Sequence, residues 1–270
     1  MAKMSVNEIR ARWFADGPQS VPAHVLRDLA GDPRRGVQAL LQRARRQAEM
    51  SQQSRQRAQE LLRHEKPLWR QGLTAIAGID EAGMGPLAGP VVAAAVVLPP
   101  GTLLPGLDDS KKLTCRQREE MFTRLQDLAL GIGVGRSEPA EIDRINIYQA
   151  GLLAMTRAVA ALPDPPQYLL LDARSLPDLA IPQESLVGGD RRSASIAAAS
   201  VVAKVTRDAL MEQYEKDYPG YGLGRHKGYP TALHRRAILR LGPTPIHRRT
   251  FTVSVPPAGR PPVLSPRSAS

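Results

Sequence analysis

The sequence predicts an α/β fold, and three observations predict it. From Leu73 onward, short apolar runs bounded by Gly or Pro have the look of strands. Between them lie stretches in which apolar residues recur every three or four positions, the period of a helix with one buried face. Strands alternating with helices form a sheet covered by helices. Residues 1–70, by contrast, are polar, rich in Arg and Gln, and free of strand-like runs. The predicted organisation is therefore a helical extension over 1–70, an α/β domain with C-terminal helices over 71–255, and a Pro/Ser tail over 256–270 expected to be disordered.

Taken in order, Gly36 to Leu62 is built of strong helix formers, with Val37, Leu40 and Leu41 marking an apolar stripe and a nearly all-polar later half. A helix of this kind either projects or packs along one stripe only. Strands follow at Thr74 to Asp80, Val91 to Leu98 and Leu128 to Gly135, with an amphipathic helix at Cys115 to Asp127 between the last two. Ala140 to Leu162 is a long helix. Tyr168 to Asp172 is a continuous apolar strand ending in a carboxylate, and Ser185 to Val187 is a short one leading through Gly188 and Gly189 to Asp190. Ser195 to Tyr214 is a helix with an alanine-rich face, and a basic helix, ALHRRAILRL, follows Thr231.

The chain has 270 residues, 42% of them hydrophobic and only 4% aromatic, so the core must be aliphatic and alanine-rich. Lys and Arg outnumber Asp and Glu by 37 to 26, a formal charge of +11 that favours polyanionic partners such as nucleic acid. With 3 Phe, 2 Trp and 6 Tyr, and this basic balance, a site for neutral polysaccharide is disfavoured. Cys115 is alone, so neither an intramolecular disulfide nor a cysteine zinc site can form. The longest apolar run, Leu87 to Leu98, contains Gly89 and Pro90 and is too short to span a bilayer. The N-terminus lacks an apolar signal core, and no exposed apolar stripe stands out. A cytoplasmic monomer with no membrane association is expected.

Chemistry concentrates at strand ends. Asp80 and Glu81 follow TAIAGI, Asp172 follows YLLL, and Asp190 follows LVGG. An Asp closing an apolar strand is either a turn-capping residue or a site ligand, and for any one of these turn capping is the commoner case. Several acids converging at one end of a sheet would repel one another, and cations relieve that repulsion. Mg²⁺ and similar hard ions prefer carboxylate oxygens, and two of them can serve phosphodiester hydrolysis. One difficulty is geometric. Neighbours in a regular strand face opposite ways, so Asp80 and Glu81 reach one cluster only if the strand distorts or ends there.

Gly83 and Gly85 belong to GIDEAGMGPLAGP, a turn in which backbone groups can approach a ligand unobstructed; a plain tight turn is the alternative. It lacks the Lys-Ser/Thr ending of a nucleotide-binding loop. Ser110 and Lys111 in DDSKKL, Lys204 and Arg207 in SVVAKVTRD, and Tyr229 in HKGYPT are cations, hydroxyls and an aromatic of the kind that position nucleic acid. Individually each is usually an ordinary solvated surface, and for Tyr229 a half-buried structural role is at least as common.

Seven segments, in this order, resemble bacterial ribonuclease HII: AGIDEAGMGPLAGPVVAAAVVLP, GLDDSKKLT, EIDRINIYQAGLLAMTRAV, LLLDA, GGDRRSASIAAASVVAKVTRD, YPGYGLGRHKGYPT and GPTPIHRRTF, covering Ala75 to about Phe251. The resemblance implies an RNase H-like mixed sheet flanked by helices and a two-metal reaction with Mg²⁺ or Mn²⁺. It implies cleavage of the RNA strand of RNA/DNA hybrids and incision beside ribonucleotides in duplex DNA, leaving 5′-phosphomonoesters, and with that a part in ribonucleotide excision repair. Carried onto this chain, Asp80, Glu81, Asp172 and Asp190 are the catalytic, metal-holding carboxylates. Gly83, Met84, Gly85 and Tyr229 are substrate contacts, with Ser110, Lys111, Lys204 and Arg207 beside them. One departure is clear: the family usually has Gly-Arg-Gly where this chain has Gly83-Met84-Gly85. The extension resembles the helical N-terminal region of some bacterial members, with nucleic-acid grip through Arg43, Arg45 and Arg46 or simple packing as its alternative roles.

Overall fold

The computed structural model describes residues 4–15 and 17–251, so the tail at 256–270 lies outside the described residues. Among the described residues four α-helices precede the first strand: α1 (Val6–Trp13), α2 (Ala23–Ala30), α3 (Arg35–Leu61) and α4 (Glu65–Arg70). Ser5 opens α1 with a reciprocal cap, its Oγ accepting from Glu8 N–H while the Glu8 carboxylate accepts from Ser5 N–H. Ile9, Val25, Leu29, Val37, Leu40 and Leu41 close a small core of their own. The middle of α3 carries no buried residue; Ala58 and Leu61 then bury at its end, and Leu61 joins the main core. The helix thus packs at its two ends rather than along one unbroken stripe, because the residues between Ala44 and Ala58 are polar apart from Ala48 and the exposed Met50.

The remaining elements are β1 (Ile76–Ala82), β2 (Val91–Val97), α5 (Cys115–Leu128), β3 (Gly131–Ser137), α6 (Pro139–Ala160), β4 (Tyr168–Asp172), β5 (Gln183–Leu186), α7 (Ala194–Asp217), α8 (Leu223–His226) and α9 (Ala232–Leu241). They form the mixed sheet with flanking helices that the sequence predicts. Its order is β3-β2-β1-β4-β5, antiparallel across β3, β2 and β1 and parallel across β1, β4 and β5. Leu128 closes α5 instead of opening β3, since the capping box at Thr114 and Gln117 starts a helix that runs until Ala129 N–H bonds Leu125 O. Helix α6 breaks once, at Asn146 (φ 67°), whose Oδ1 accepts from Tyr148 and Gln149 N–H and so caps the following stretch.

Helix α6 covers one face of the sheet and α7 the other. Small residues let them approach closely: a Cβ on Gly133 would lie 2.1 Å from Ala158 O of α6, and one on Gly78 would lie 2.0 Å from the carbonyl carbon of Ser195 in α7. Backbone meets backbone at both places. The start of α7 is therefore pinned behind β1, next to the acids at the end of that strand. No helix among the described residues is long and apolar enough to cross a membrane.

Candidate active site

Strand β1 does not distort at its acids. It stays paired with β2 as far as Ala82, whereas its pairing with β4 stops at Ile79 opposite Leu171. Beyond Ile79 the sheet opens on the β4 side, and Asp80 and Glu81 straddle the opening from opposite faces. Asp80, buried at 5% exposure, looks toward α7; its Oδ1 accepts from Glu81 N–H and its carboxyl also meets Ser200. Glu81 looks toward α6, with Arg174 Nη2 3.6 Å from its Oε1. Asp172 ends β4 and accepts from Gly189 N–H at 2.7 Å, which fixes the turn carrying the buried Asp190.

The acids act on one another. Burial, then the charges of Glu81 and Asp172, push the Asp80 carboxyl well above the usual range. Glu81 is raised by burial in spite of Arg174, and Asp190 by burial followed by Asp109 and Asp172. Burial pulls Lys111 down, but Asp109, Asp190, Asp80 and Asp172 outweigh it and raise its pKa, so this ammonium faces the whole cluster. Its Nζ lies 3.9 Å from Asp190 Oδ2.

The donors suit a hard divalent cation in chemistry, being all carboxylate oxygen, and Glu81 Oε2 is buried without any hydrogen-bond partner. They do not form a closed cage: among the described residues no three His, Cys, Asp or Glu side chains are gathered to hold a metal ion. A half-open set of this kind agrees with an ion that keeps waters and takes further oxygens from a phosphate.

Of the other predicted residues, Lys111 is exposed and faces the acids, whereas three are engaged elsewhere. Ser110 is buried and shares a 2.8 Å hydrogen bond with Ser200, which buttresses Asp80 rather than meeting solvent. Lys204 Nζ donates to Asp208 at 2.7 Å, one turn along α7. Arg207 is 1% exposed and donates to Pro90 O, Lys227 O and Ala88 O. As placed, it is a clamp on the backbone and not a phosphate contact; an arginine in a helical sequence pattern gives no sign of which way it will turn.

The glycine turn is set by two buried arginines. A Cβ at Gly83 (φ 98°) would lie 2.2 Å from Arg207 Nε, so only glycine fits. Arg248, 2% exposed, donates to Gly83 O (2.6 Å), Met84 O (3.1 Å) and Gly89 O (3.0 and 2.8 Å). In a trans peptide the N–H points opposite to the C=O, so the N–H groups of Met84 and Gly85 face away from Arg248. Gly85 is exposed, and a Cβ there would lie 3.9 Å from the Tyr229 ring, itself 43% exposed. Met84 packs beside Gly151 of α6, in the neighbourhood of Arg174.

Tyr229 rests on histidines. Its carbonyl accepts from His234 Nδ1–H at 3.0 Å. His247 Nδ1 accepts from Thr244 N–H, which leaves its Nε2–H to donate to His234 Nε2 at 3.2 Å. Both rings must be neutral to make these bonds, and burial holds His234 down at about 4 and His247 below its ordinary value. Sequence reasoning assigned no role to Arg174, Asp109, Ser200, Arg248 or these histidines. Asp109 and Arg248 lay inside the quoted segments, but nothing local distinguished them from surface charges.

The ribonuclease HII family model matches residues 77–254, and the model of the ribonuclease HII N-terminal domain matches residues 5–69. Ribonuclease HII of Myxococcus xanthus is 51% identical over 252 residues, 93% of this chain and 86% of that protein. Ribonuclease HII of Geobacillus thermodenitrificans is 54% identical over 251 residues, 93% of this chain and 96% of that one. Among solved structures, ribonuclease H2 from Pyrococcus horikoshii superimposes with a TM-score of 0.56 at 27% identity, over 66% of this chain and 94% of that chain.

Proposed function

Because the chain belongs to the ribonuclease HII family, we propose that it is an endonuclease that hydrolyses the RNA strand of RNA/DNA hybrids and also incises beside ribonucleotides embedded in duplex DNA. The observation that supports this reading is that Asp80, Glu81, Asp172 and Asp190 lie near enough around the opening between β1 and β4 for their charges to act on one another, without closing a cage, while the turn after β1 brings the exposed Gly85 next to Tyr229. The four carboxylates would hold divalent cations, Mg²⁺ or Mn²⁺ and two of them with substrate bound, which supply Lewis-acid charge at the scissile phosphodiester. The residues of the chain orient the substrate. Lys111 brings an exposed cation to the edge of the acid cluster, where a phosphate can meet it. Met84 and Gly85 offer N–H donors, and Tyr229 a ring on which a sugar or base can rest, a combination able to read a 2′-hydroxyl. We place this activity in the cytoplasm, in a monomer that removes ribonucleotides from DNA.

The test is cleavage of a labelled DNA duplex containing one ribonucleotide, with Mg²⁺ or Mn²⁺, alongside an all-DNA duplex and a long hybrid. Incision at the ribonucleotide that is lost in Asp80→Asn is the expected result. Cleavage of the hybrid alone would remove the embedded-ribonucleotide half of the proposal. Silence on both substrates would point instead to a protein that binds hybrids without cutting them.

A further inference from the structure

Sequence alone left the helical extension a choice between gripping nucleic acid and mere packing, and its contacts point to a third role. Glu65 of α4 is fully buried, and its Oε1 accepts from Ser193 Oγ–H at 2.6 Å and from Ser195 N–H at 2.9 Å. Ser193 Oγ in turn caps Ile196 N–H, so the carboxylate sits at the N-terminus of α7, where the helix dipole favours negative charge. Arg57 of α3 donates from Nη2 to Arg191 O at 2.6 Å, and the same nitrogen lies 3.5 Å from Asp108 Oδ1. These two side chains therefore hold Gly189–Arg191 and the first residues of α7, the segment in which Asp190 lies, and Arg57 also touches the loop that carries Asp109 and Lys111.

That segment needs holding. It begins with Gly188 in the left-handed region (φ 66°) followed by Gly189, a pair with little conformational preference of its own. Within the catalytic domain, Asp172 fixes it from one side through Gly189 N–H; Glu65 and Arg57 fix the other. A buried carboxylate whose second oxygen, Oε2, has no hydrogen-bond partner is expensive as a source of stability. What it delivers is position.

We propose that the N-terminal extension is part of the active-site framework, with Glu65 and Arg57 acting as positioning residues that fix the Asp190 turn against Asp172. The proposal rests on the reading of Asp190 as a functional carboxylate. A misplacement of about 1 Å in such a group lowers turnover by roughly 10- to 100-fold while leaving substrate binding nearly intact. Glu65→Gln keeps an acceptor oxygen for both donors, whereas Glu65→Ala keeps none.

The experiment compares full-length wild type, Glu65→Ala, Glu65→Gln and Arg57→Ala by hydrogen exchange of residues 188–196, by Mn²⁺ affinity and by kcat and KM on a hybrid duplex. Glu65→Ala and Arg57→Ala should speed exchange at that turn, weaken Mn²⁺ binding several-fold and lower kcat with KM changed less than about twofold, and Glu65→Gln should restore most of each. A rise in KM with kcat and exchange unchanged would overturn the proposal in favour of grip by the extension. Unchanged values for both alanine variants would overturn it in favour of packing. If Glu65→Ala fails to fold, Arg57→Ala alone decides. Exchange and Mn²⁺ affinity are read without turnover, so a wild type that cuts no substrate would refute the proposed function and leave this test standing.

Discussion

Arg248→Lys tests whether the glycine turn is held from behind. The guanidinium makes four hydrogen bonds to three carbonyls, the buried Gly83 O and Gly89 O and the partly buried Met84 O. A lysine ammonium has its donors on one atom and cannot span the fork, so one or two carbonyls lose their partner. Each buried acceptor left unmade costs about 1–3 kcal/mol, which gives roughly 2–4 kcal/mol for the substitution. For a chain of this size that is a fall in Tm of about 5–15 °C. The functional effect should be larger on selectivity than on turnover, because the freed peptides of Gly83 and Met84 no longer present the Met84 and Gly85 N–H groups in one direction. Thermal unfolding gives the first number, and the ratio of kcat/KM for a hybrid to that for an all-DNA duplex gives the second. A Tm within about 2 °C of wild type together with an unchanged ratio would refute the argument that Arg248 orients the turn.

Gly78→Ala should be the most damaging small substitution in β1: its methyl would meet the Ser195 backbone at 2.0 Å, so α7 must move, with a loss of at least about 3 kcal/mol in urea unfolding and reduced activity. Met84→Arg should place a second guanidinium beside Arg174, tightening duplex binding and steepening its salt dependence by about one counterion while leaving RNA-over-DNA choice unchanged; a change in that choice alone would contradict it. The histidine pair predicts acid sensitivity with a definite sign. His234 is held at about 4 in the folded state against 6.5 unfolded, so the unfolded chain binds more protons in that window and stability falls as pH drops from about 6.5 to 4. Allowing for partial solvent screening, the loss is on the order of 2 kcal/mol. His234→Gln should flatten the dependence when unfolding is followed across that range.

Much of this molecule was legible in its sequence because the relevant physics is local. Tyr168–Asp172 is found where its continuous apolar run puts a strand, and Ala232–Leu241 where ALHRRAILRL puts a helix after Thr231, since the residue types that favour each are written within a few positions. The four carboxylates stood out as candidates for a similar reason, an acid beside an apolar run being anomalous in its own segment, although only Asp172 ends its strand: β1 continues past Asp80 and Glu81 to Ala82, and Asp190 lies in the turn after β5. What tertiary structure decided is the direction of each cation. Arg207 and Lys111 read alike in sequence, yet one is buried against Pro90, Ala88 and Lys227 carbonyls while the other faces the acids. Arg174, Asp109, Arg248 and Glu65 acquire roles only from partners far away in the chain; Glu65 and Ser195 are 130 positions apart. Long flexible side chains carry no periodic signal of their own. Where they point is settled by which buried carbonyl, hydroxyl or carboxylate would otherwise be left without a partner, and that is known only once the sheet and its helices have come together.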